Sequence, residues 1–343
     1  MKDTNVRSSF KPAWWLNNAH LQTIYPSLFR VVPLVSTRRE RLITPDFDFV
    51  DIDWCGDAHH PIIILLHGLT GSSSSGYIKG LQHQLTLDGF RTAALNFRGC
   101  SGELNHRAQC YHSGETADLD FLYLTLRARE PNTPIGMVGF SLGGNVLLKW
   151  LGESSNNRSF LFAAVAVSVP LQLDICATTL DKGFAKLYRS RLISELKQFI
   201  TDKKVYLESI GQVDEANKIT RLGDVSQIKS FWEYDDRVVA KLHGFNDAHD
   251  YYQQSSSRRF LKFIRVPTLV IQAIDDPFMT PDVLPINEHL SDFVSLEVTE
   301  SGGHVGFVSG NTPLRPIYWL EQRIPEFIKE RLLTWRPSHL TAS

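Results

Sequence analysis

The sequence predicts an α/β fold with a mostly parallel central sheet, helices on both faces of that sheet and a helical cap insertion. Short apolar runs alternate with segments of helical spacing along much of the chain, a rhythm typical of parallel sheets covered on both faces. Residues 62–66 are all isoleucine or leucine, which favours a central strand buried on both sides. A serine flanked by glycines, within residues 139–143, follows another such run and precedes a helical segment.

The apolar runs and the turn residues between them place the remaining elements in order. We expect strands over residues 39–44, 46–53, 62–66, 91–96, 134–138, 161–168, 266–273 and 294–298. We expect helices over residues 77–87, 115–129, 145–151, 185–200 and 316–333. Strands that alternate with helices in this way form one α/β core.

The chain divides into an arm, a core and a cap. Residues 1–36 contain an unusually aromatic stretch, which we interpret as an N-terminal arm packed over the core; a direct role of this arm at the site is the alternative. The core comprises residues 37–170 and 261–343. Residues 171–260 are rich in charged, polar and aromatic side chains and show no clear strand. We interpret them as a helical cap over the carboxyl end of the sheet, where lids exclude water and shape specificity.

The composition excludes several classes of protein. The chain has 343 residues, 43% apolar and 21% charged, with a net charge of −1, so nothing indicates binding to nucleic acid or to an anionic membrane surface. The four cysteines lack metal-ligand spacing and residues 1–11 lack the apolar centre of an export signal, so we expect reduced thiols and a cytoplasmic location. The longest apolar stretches are too short to span a bilayer. No metal or organic cofactor is expected.

Four aspartates alternate with apolar residues near the predicted second strand: Asp46, Asp48, Asp51 and Asp53. One interpretation makes them metal ligands, but no histidine or glutamate completes a known spacing. We favour the other interpretation, the exposed face of a half-solvated edge hairpin.

The serine at position 141 lies in the pattern Gly139-x-Ser141-x-Gly143, between a predicted strand and a predicted helix. A strand that turns directly into a helix bends sharply, and small neighbours let the helix pack back on the sheet. Such a turn exposes the hydroxyl as a nucleophile and points the following backbone N–H at the reacting atom. The pattern alone is common, but the strand before it and the helix after it favour a catalytic serine.

A serine nucleophile needs a base, and the base needs an orienting group. In an open α/β sheet these groups belong at the carboxyl ends of later strands. The strand over residues 266–273 is followed by Asp275 and Asp276, and the next strand is followed by His304 in a glycine-rich loop. We favour Asp276 as the acid because it stands three residues beyond the strand, with Asp275 as the alternative. If Asp276 is the acid, Asp275 is a turn residue or a group that supports the site from behind. The order Ser, Asp, His is that of the α/β-hydrolase arrangement.

An oxyanion hole requires two backbone donors. The N–H of Leu142, directly after the nucleophile, supplies one in this prediction. The second is expected from the loop after residues 62–66, with the Leu69 N–H as the candidate. His67 in that loop is expected to hydrogen-bond the loop rather than to transfer protons.

Several strings of the sequence together resemble those of the YheT-like α/β hydrolases. They are WWLNNAHLQTIYP at 14–26, HGLTG at 67–71, NFRGCSG at 96–102, GFSLGGNVLLKW at 139–150, DDPFM at 275–279 and GGHVGF at 302–307. This family includes mammalian abhydrolase-domain lipases and yeast ethyl-ester synthases. The resemblance implies a serine hydrolase of carboxylic esters with Ser141, Asp276 and His304 as its triad. Cys100 and Ser101 depart from the residues that family members often have after the arginine–glycine turn.

The predicted function is cleavage of short- to medium-chain acyl esters, including acylglycerols or other lipids, through an acyl-enzyme on Ser141. Two alternatives stay open at this point. An acyltransferase would pass the acyl group to an alcohol with the same triad, and a non-catalytic binding scaffold would use the fold without chemistry. The expected partner is a small-molecule ester, and the expected assembly is a monomer or a weak homo-oligomer.

Overall fold

A computed structural model describes residues 5–153 and 160–336 of the chain. Its centre is a nine-stranded sheet with the strand order β1-β9-β8-β7-β6-β4-β5-β3-β2. The strands are β1 (Asn5–Val6), β2 (Arg38–Ile43), β3 (Phe49–Cys55), β4 (Ile62–Leu66), β5 (Arg91–Asn96), β6 (Ile135–Phe140), β7 (Leu161–Val167), β8 (Thr268–Ala273) and β9 (Val294–Thr299). A separate two-stranded ribbon joins β10 (Val308–Ser309) to β11 (Ile317–Tyr318).

The sheet is mostly parallel, as the sequence predicts. Strands β4 to β9 pair in parallel with their neighbours, and β1 adds to β9 in the same direction. Every residue of β4, β5, β6, β7 and β8 is buried, because helices cover both faces. This burial explains why the runs contain few polar residues.

The helices of the core and the arm lie close to their predicted positions, except that the arm contains a helix that was not predicted. They are α1 (Ala19–Phe29), α2 (Gly76–Leu87), α3 (Ala117–Arg129), α4 (Leu142–Glu153) and α11 (Leu320–Thr334). Asn18 begins α1, since its side chain accepts a hydrogen bond from the N–H of Leu21 at 2.9 Å, as N-cap residues do. No helix in the described part of the chain is both long and apolar enough to cross a membrane.

Residues 171–260, all of which the structure describes, contain helices and no strand. The helices are α5 (Leu173–Leu180), α6 (Ala185–Ser209), α7 (Val213–Thr220), α8 (Phe231–Tyr234), α9 (Ala240–His243) and α10 (Ala248–Ser255). A π-helical turn (Asp235–Val239) joins α8 to α9, and a 3-10 helix (Ser257–Phe263) leads back to β8. Helix α6 runs beyond the predicted end at residue 200, because Lys203 and Leu207 continue its buried face.

The interpretation of the acidic strand as half-solvated is wrong. Strand β3 lies between β2 and β5, every residue of β3 is buried, and of the four aspartates only Asp46 keeps substantial exposure. Strand β2, not β3, is the edge of the sheet. The alternation of acidic and apolar residues therefore does not separate a solvent-exposed face of the strand from a buried one.

Arginines from other segments explain how the buried carboxylates are tolerated. Arg39 and Arg41 on β2 each form two hydrogen bonds, to Asp53 and Asp51 respectively, at 2.8–2.9 Å. Burial raises the pKa of Asp53, but hydrogen bonds from Arg39 and its other partners outweigh this effect and lower the pKa to about 2. Arg98 forms two hydrogen bonds to Asp46, at 2.6 and 3.1 Å, and one longer contact of 3.4 Å to Asp48. Each of the four carboxylates therefore has an arginine partner.

Candidate active site

The candidate site lies where four neighbouring parallel strands end. Strands β6, β7, β8 and β9 are adjacent in the sheet, and their carboxyl ends lead into Ser141, Ser168, Asp276 and His304. Since these ends meet at one edge of the sheet, residues far apart in sequence come together there.

The turn after β6 forces Ser141 into a strained backbone conformation. Ser141 has φ +51°, its N–H donates to the carbonyl of Val167 at 2.8 Å, and α4 begins at the next residue. A Cβ atom on Gly143 would lie 2.5 Å from the carbonyl oxygen of His67, and one on Gly139 would lie 2.5 Å from that of Gly143. Both glycines are needed because backbone passes too close for any side chain. The resulting turn has the geometry of a nucleophile elbow.

The structure brings together the serine, histidine and aspartate that the sequence singles out. Oγ of Ser141 lies 2.9 Å from Nε2 of His304, and Nδ1 of the same ring lies 2.8 Å from Oδ2 of Asp276. A carboxylate only accepts hydrogen bonds, so the Nδ1–H of His304 donates to Asp276 and Nε2 is left to accept the serine proton. This is the arrangement in which an imidazole can act as a general base.

Of the two adjacent aspartates, only Asp276 contacts the imidazole. The Asp276 side chain is 1% exposed, and its second oxygen accepts the N–H of Phe278 at 2.9 Å. Asp275 instead accepts the backbone N–H of Gly303 at 2.9 Å, and burial raises its pKa. Asp275 thus fastens the loop that carries His304.

Two residues that the sequence analysis missed position His304. The ring of Phe278 stacks on the imidazole, with centroids 4.0 Å apart and planes 6° from parallel. The backbone N–H of His304 donates to Oγ1 of Thr23 at 2.9 Å, so the arm reaches the site as well as packing on the core. Both residues lie in strings quoted above, Thr23 in 14–26 and Phe278 in 275–279, but nothing in those strings links either side chain to His304.

Ser168 is a third residue that the sequence analysis missed. It follows β7 with φ +50°, and its Oγ accepts the N–H of Val305 at 2.9 Å. Val305 itself has φ +57°. The signal that could have revealed Ser168 is its place directly after a buried strand, next to the strand that carries Ser141.

The two predicted oxyanion donors have free N–H groups. Among the described residues, no protein acceptor takes the N–H of Leu69 or that of Leu142. On either side of Leu69, the N–H of Gly68 donates to the hydroxyl of Tyr77 and that of Thr70 to the hydroxyl of Tyr111, both at 2.9 Å. These tyrosines fix the loop and leave the Leu69 donor for a ligand.

His67 is held in place within the oxyanion loop. Its Nε2 accepts the N–H of Phe97 at 3.2 Å, and its Nδ1 lies 2.8 Å from the carbonyl oxygen of Gly68. Since that oxygen only accepts, Nδ1 carries the proton. Burial lowers the pKa of His67 to about 4. A neutral histidine with both nitrogens engaged supports the loop, as predicted.

A cavity of about 380 Å³ opens beside Ser141. The arm lines it with residues such as Ile24 and Leu28, and the cap lines it with residues of α5, α6, α8 and α10. The wall is mainly apolar; among its members are Leu173, Cys176, Ala177, Leu180, Leu192, Phe231 and Phe278. A pocket of this size and character suits the apolar part of a small ester.

Among the described residues, one group has the ligand spacing for a metal ion. Ligand atoms of His112, Glu115 and His243 lie within 4.8 Å of one another. Nδ1 of His112 already accepts the N–H of Gly114 at 3.1 Å, which makes Nε2 the protonated nitrogen and so unsuited to a metal. These three residues do not line the cavity.

A mostly parallel sheet with a serine, a histidine and an aspartate at its carboxyl edge defines the class of α/β hydrolases. The model of the alpha/beta hydrolase fold family matches residues 61–310, and the chain belongs to that family. Within it, the chain is similar to the protein YheT of Escherichia coli (strain K12), with 38% identity over 333 residues that cover 95% of each chain.

More distant relatives have lipase names. The chain is 28% identical over 334 residues to phospholipase ABHD3 of Homo sapiens, covering 94% of this chain and 79% of the relative. It is 29% identical over 296 residues to a monoacylglycerol lipase of Saccharomyces cerevisiae, covering 85% of this chain and 63% of the relative. Among solved structures, a Pyrococcus furiosus esterase shares the fold with a TM-score of 0.56 at 18% identity, covering 89% and 96%.

Proposed function

We propose that the chain hydrolyses carboxylic esters through an acyl-enzyme on Ser141, with His304 as general base and Asp276 as its orienting acid. The observation that carries this proposal is the continuous chain of contacts from Ser141 Oγ through His304 to Asp276, at 2.9 and 2.8 Å. An ester hydrolase agrees with the family and with relatives named esterase, phospholipase and monoacylglycerol lipase.

In the proposed first step, Nε2 of His304 takes the proton of Ser141 as the serine oxygen attacks the ester carbonyl. The N–H groups of Leu69 and Leu142 stabilise the negative oxygen of the tetrahedral intermediate. His304 then gives the proton to the departing alcohol. In the second step, His304 activates a water molecule that releases the acid and restores Ser141. Asp276 stabilises the imidazolium that forms twice in the cycle.

The proposed substrates are short- to medium-chain acyl esters, with acylglycerols and other lipids included. The mainly apolar cavity of about 380 Å³ supports this class. The proposed role of the cap, residues 171–260, is to keep water from the acyl-enzyme except during hydrolysis. A cytoplasmic location is part of the proposal, and the four free thiols of Cys55, Cys100, Cys110 and Cys176 agree with it.

The test compares Ser141→Ala with the wild type on p-nitrophenyl esters of increasing acyl length. We expect kcat/KM of the variant to fall by at least about 10³-fold, as for other activated serine nucleophiles. Ser74→Ala, a change at an exposed serine, is the control and is expected to keep full activity. A fluorophosphonate should label the wild type and Ser74→Ala but not Ser141→Ala. Ester hydrolysis by Ser141→Ala at the wild-type rate would refute the proposal.

A further inference from the structure

The cavity beside Ser141 contains a carboxyl group that the proposed reaction does not use. Asp235 lines the cavity together with Tyr252 of α10. It is the first residue of the π-helical turn Asp235–Val239, directly after α8. Such turns are rare, and those that occur are frequently found at functional sites.

The hydrogen-bonding capacity of Asp235 is mostly unused. Its Oδ2 accepts a hydrogen bond from the hydroxyl of Tyr252 at 2.6 Å. In the part of the chain that the structure describes, no cation forms an ion pair with this carboxyl and no second side chain donates to it. The two oxygens of a carboxyl group offer more acceptor positions than the one that Tyr252 uses, whether or not the group carries a proton. Asp235 therefore has acceptor sites left for a ligand.

The surroundings of Asp235 make an unpartnered carboxyl costly. Asp235 is half-buried and is one of the residues that line the cavity. Burial raises its pKa to about 7, while apolar residues such as Phe231 form much of the wall beside it. An unsubstituted alkyl chain in this cavity would displace water from Asp235 without replacing the hydrogen bonds that water makes.

We propose that Asp235 and Tyr252 form a polar subsite for a hydrogen-bond donor, a hydroxyl or an amino group, that the substrate carries on its acyl or its alcohol side. The donor occupies the free acceptor positions of Asp235, while the Tyr252 hydroxyl holds the carboxyl in place. This inference rests on the proposed ester hydrolysis at Ser141 and narrows its substrate class to functionalised esters. It makes Asp235 a specificity-determining residue and leaves the chemistry at Ser141 unchanged.

The test measures kcat/KM for matched pairs of esters that differ only in one terminal group. On the acyl side, p-nitrophenyl alkanoates of four, six and eight carbons are compared with their ω-hydroxy and ω-amino counterparts. On the alcohol side, butanoates of simple alkyl alcohols are compared with those of the corresponding diols and amino alcohols. We expect kcat/KM of at least one donor-bearing ester to exceed that of its unsubstituted partner by about tenfold or more. A site built to bind a donor disfavours an analogue that lacks it.

Variants assign this preference to the subsite. Asp235→Leu should remove the preference for the donor-bearing ester and raise kcat/KM for the unsubstituted ester. Asp235→Asn and Tyr252→Phe should reduce the preference. Asp236→Asn is the matched control, because Asp236 accepts the N–H of Ala248 and does not line the cavity. If Asp235→Leu does not fold, Asp235→Asn alone decides the question.

Two results would overturn the inference: a wild type with no preference in any pair, or a preference that survives unchanged in every folded Asp235 variant. Either result, combined with an inactive Ser141→Ala, rejects the polar subsite and leaves ester hydrolysis standing. An active Ser141→Ala would instead reject the proposed function itself.

Discussion

Replacing Asp276 with asparagine tests which of two adjacent carboxylates supports the general base. The change keeps the size of the side chain but removes its negative charge. Asp276 lies 2.8 Å from Nδ1 of His304 and is 1% exposed, so the imidazolium that forms during the reaction would lose its counter-charge in a buried site. An amide that donates to Nδ1 would also favour the wrong tautomer of His304.

The structure gives the size of the expected effect. Two unit charges about 3 Å apart at an effective dielectric constant of about 20 attract by roughly 5–6 kcal/mol. Since the amide dipole and rearranged water recover part of that energy, we expect Asp276→Asn to lower kcat/KM by about 10³–10⁴-fold. Asp275→Asn is the matched control: its amide oxygen can still accept the N–H of Gly303, and we expect a loss of less than about tenfold.

The assay is hydrolysis of p-nitrophenyl butanoate by the two variants, with thermal unfolding as the check that both fold. The assignment would be refuted if Asp276→Asn kept more than a tenth of wild-type activity, or if Asp275→Asn were the more damaging change. The double variant should be less active than Asp276→Asn by no more than the small factor that Asp275→Asn costs on its own.

Three further predictions concern the supports of the site. Gly143→Ala should lower the unfolding free energy by about 2–4 kcal/mol in urea denaturation, since the new Cβ meets backbone carbonyl oxygens at 2.5 and 2.7 Å; stability within about 0.5 kcal/mol of wild type would contradict this. Thr23→Val should lower kcat about tenfold and Thr23→Ser should keep it near the wild-type value, because only a hydroxyl accepts the N–H of His304. Equal kcat values for Thr23→Val and wild type would contradict a role for this contact. His67 has a pKa of about 4 when folded and 6.5 ordinarily, so the unfolded chain binds its proton first and stability falls as pH drops from 6.5 toward 4. Between pH 7 and pH 4.5, the unfolding free energy of the wild type should fall by about 2–3 kcal/mol more than that of His67→Gln. Equal decreases in the two proteins would contradict the burial of a neutral ring.

The predictable parts of this protein are those that local sequence constrains. The elbow requires glycines at fixed distances from Ser141, because backbone atoms pass within 2.5 Å of the Cβ positions at Gly139 and Gly143. The parallel strands require continuous apolar runs, because both faces of the sheet are covered. The Ser–Asp–His order then places Asp276 and His304 after the adjacent strands β8 and β9, and β7 separates β8 from β6, which leads to Ser141.

The acidic strand β3 shows where local reasoning fails. Alternating acids and apolar residues normally mark a strand with one wet face. Here the partners of Asp51 and Asp53 are Arg41 and Arg39 on the next strand. Asp48, just before β3, accepts from Nδ2 of Asn105 at 2.6 Å and lies 3.4 Å from Arg98 after β5. A pattern within one segment carries no information about which cations pairing will bring to it. Burial of a charge therefore depends on tertiary contacts that only the fold supplies.

The arm gives the same lesson for the site itself. Thr23 contacts His304 across 281 positions of sequence, and no spacing rule links the two. In the glycine-rich loop that carries His304, Gly303 has φ +60°, a backbone conformation that favours glycine. A Cβ at that position would also lie 2.6 Å from both the carbonyl oxygen of Ala19 and Oγ1 of Thr23. Gly303 thus serves the turn and the close approach of the arm together, so the arm and the histidine loop fit each other as one support for the imidazole.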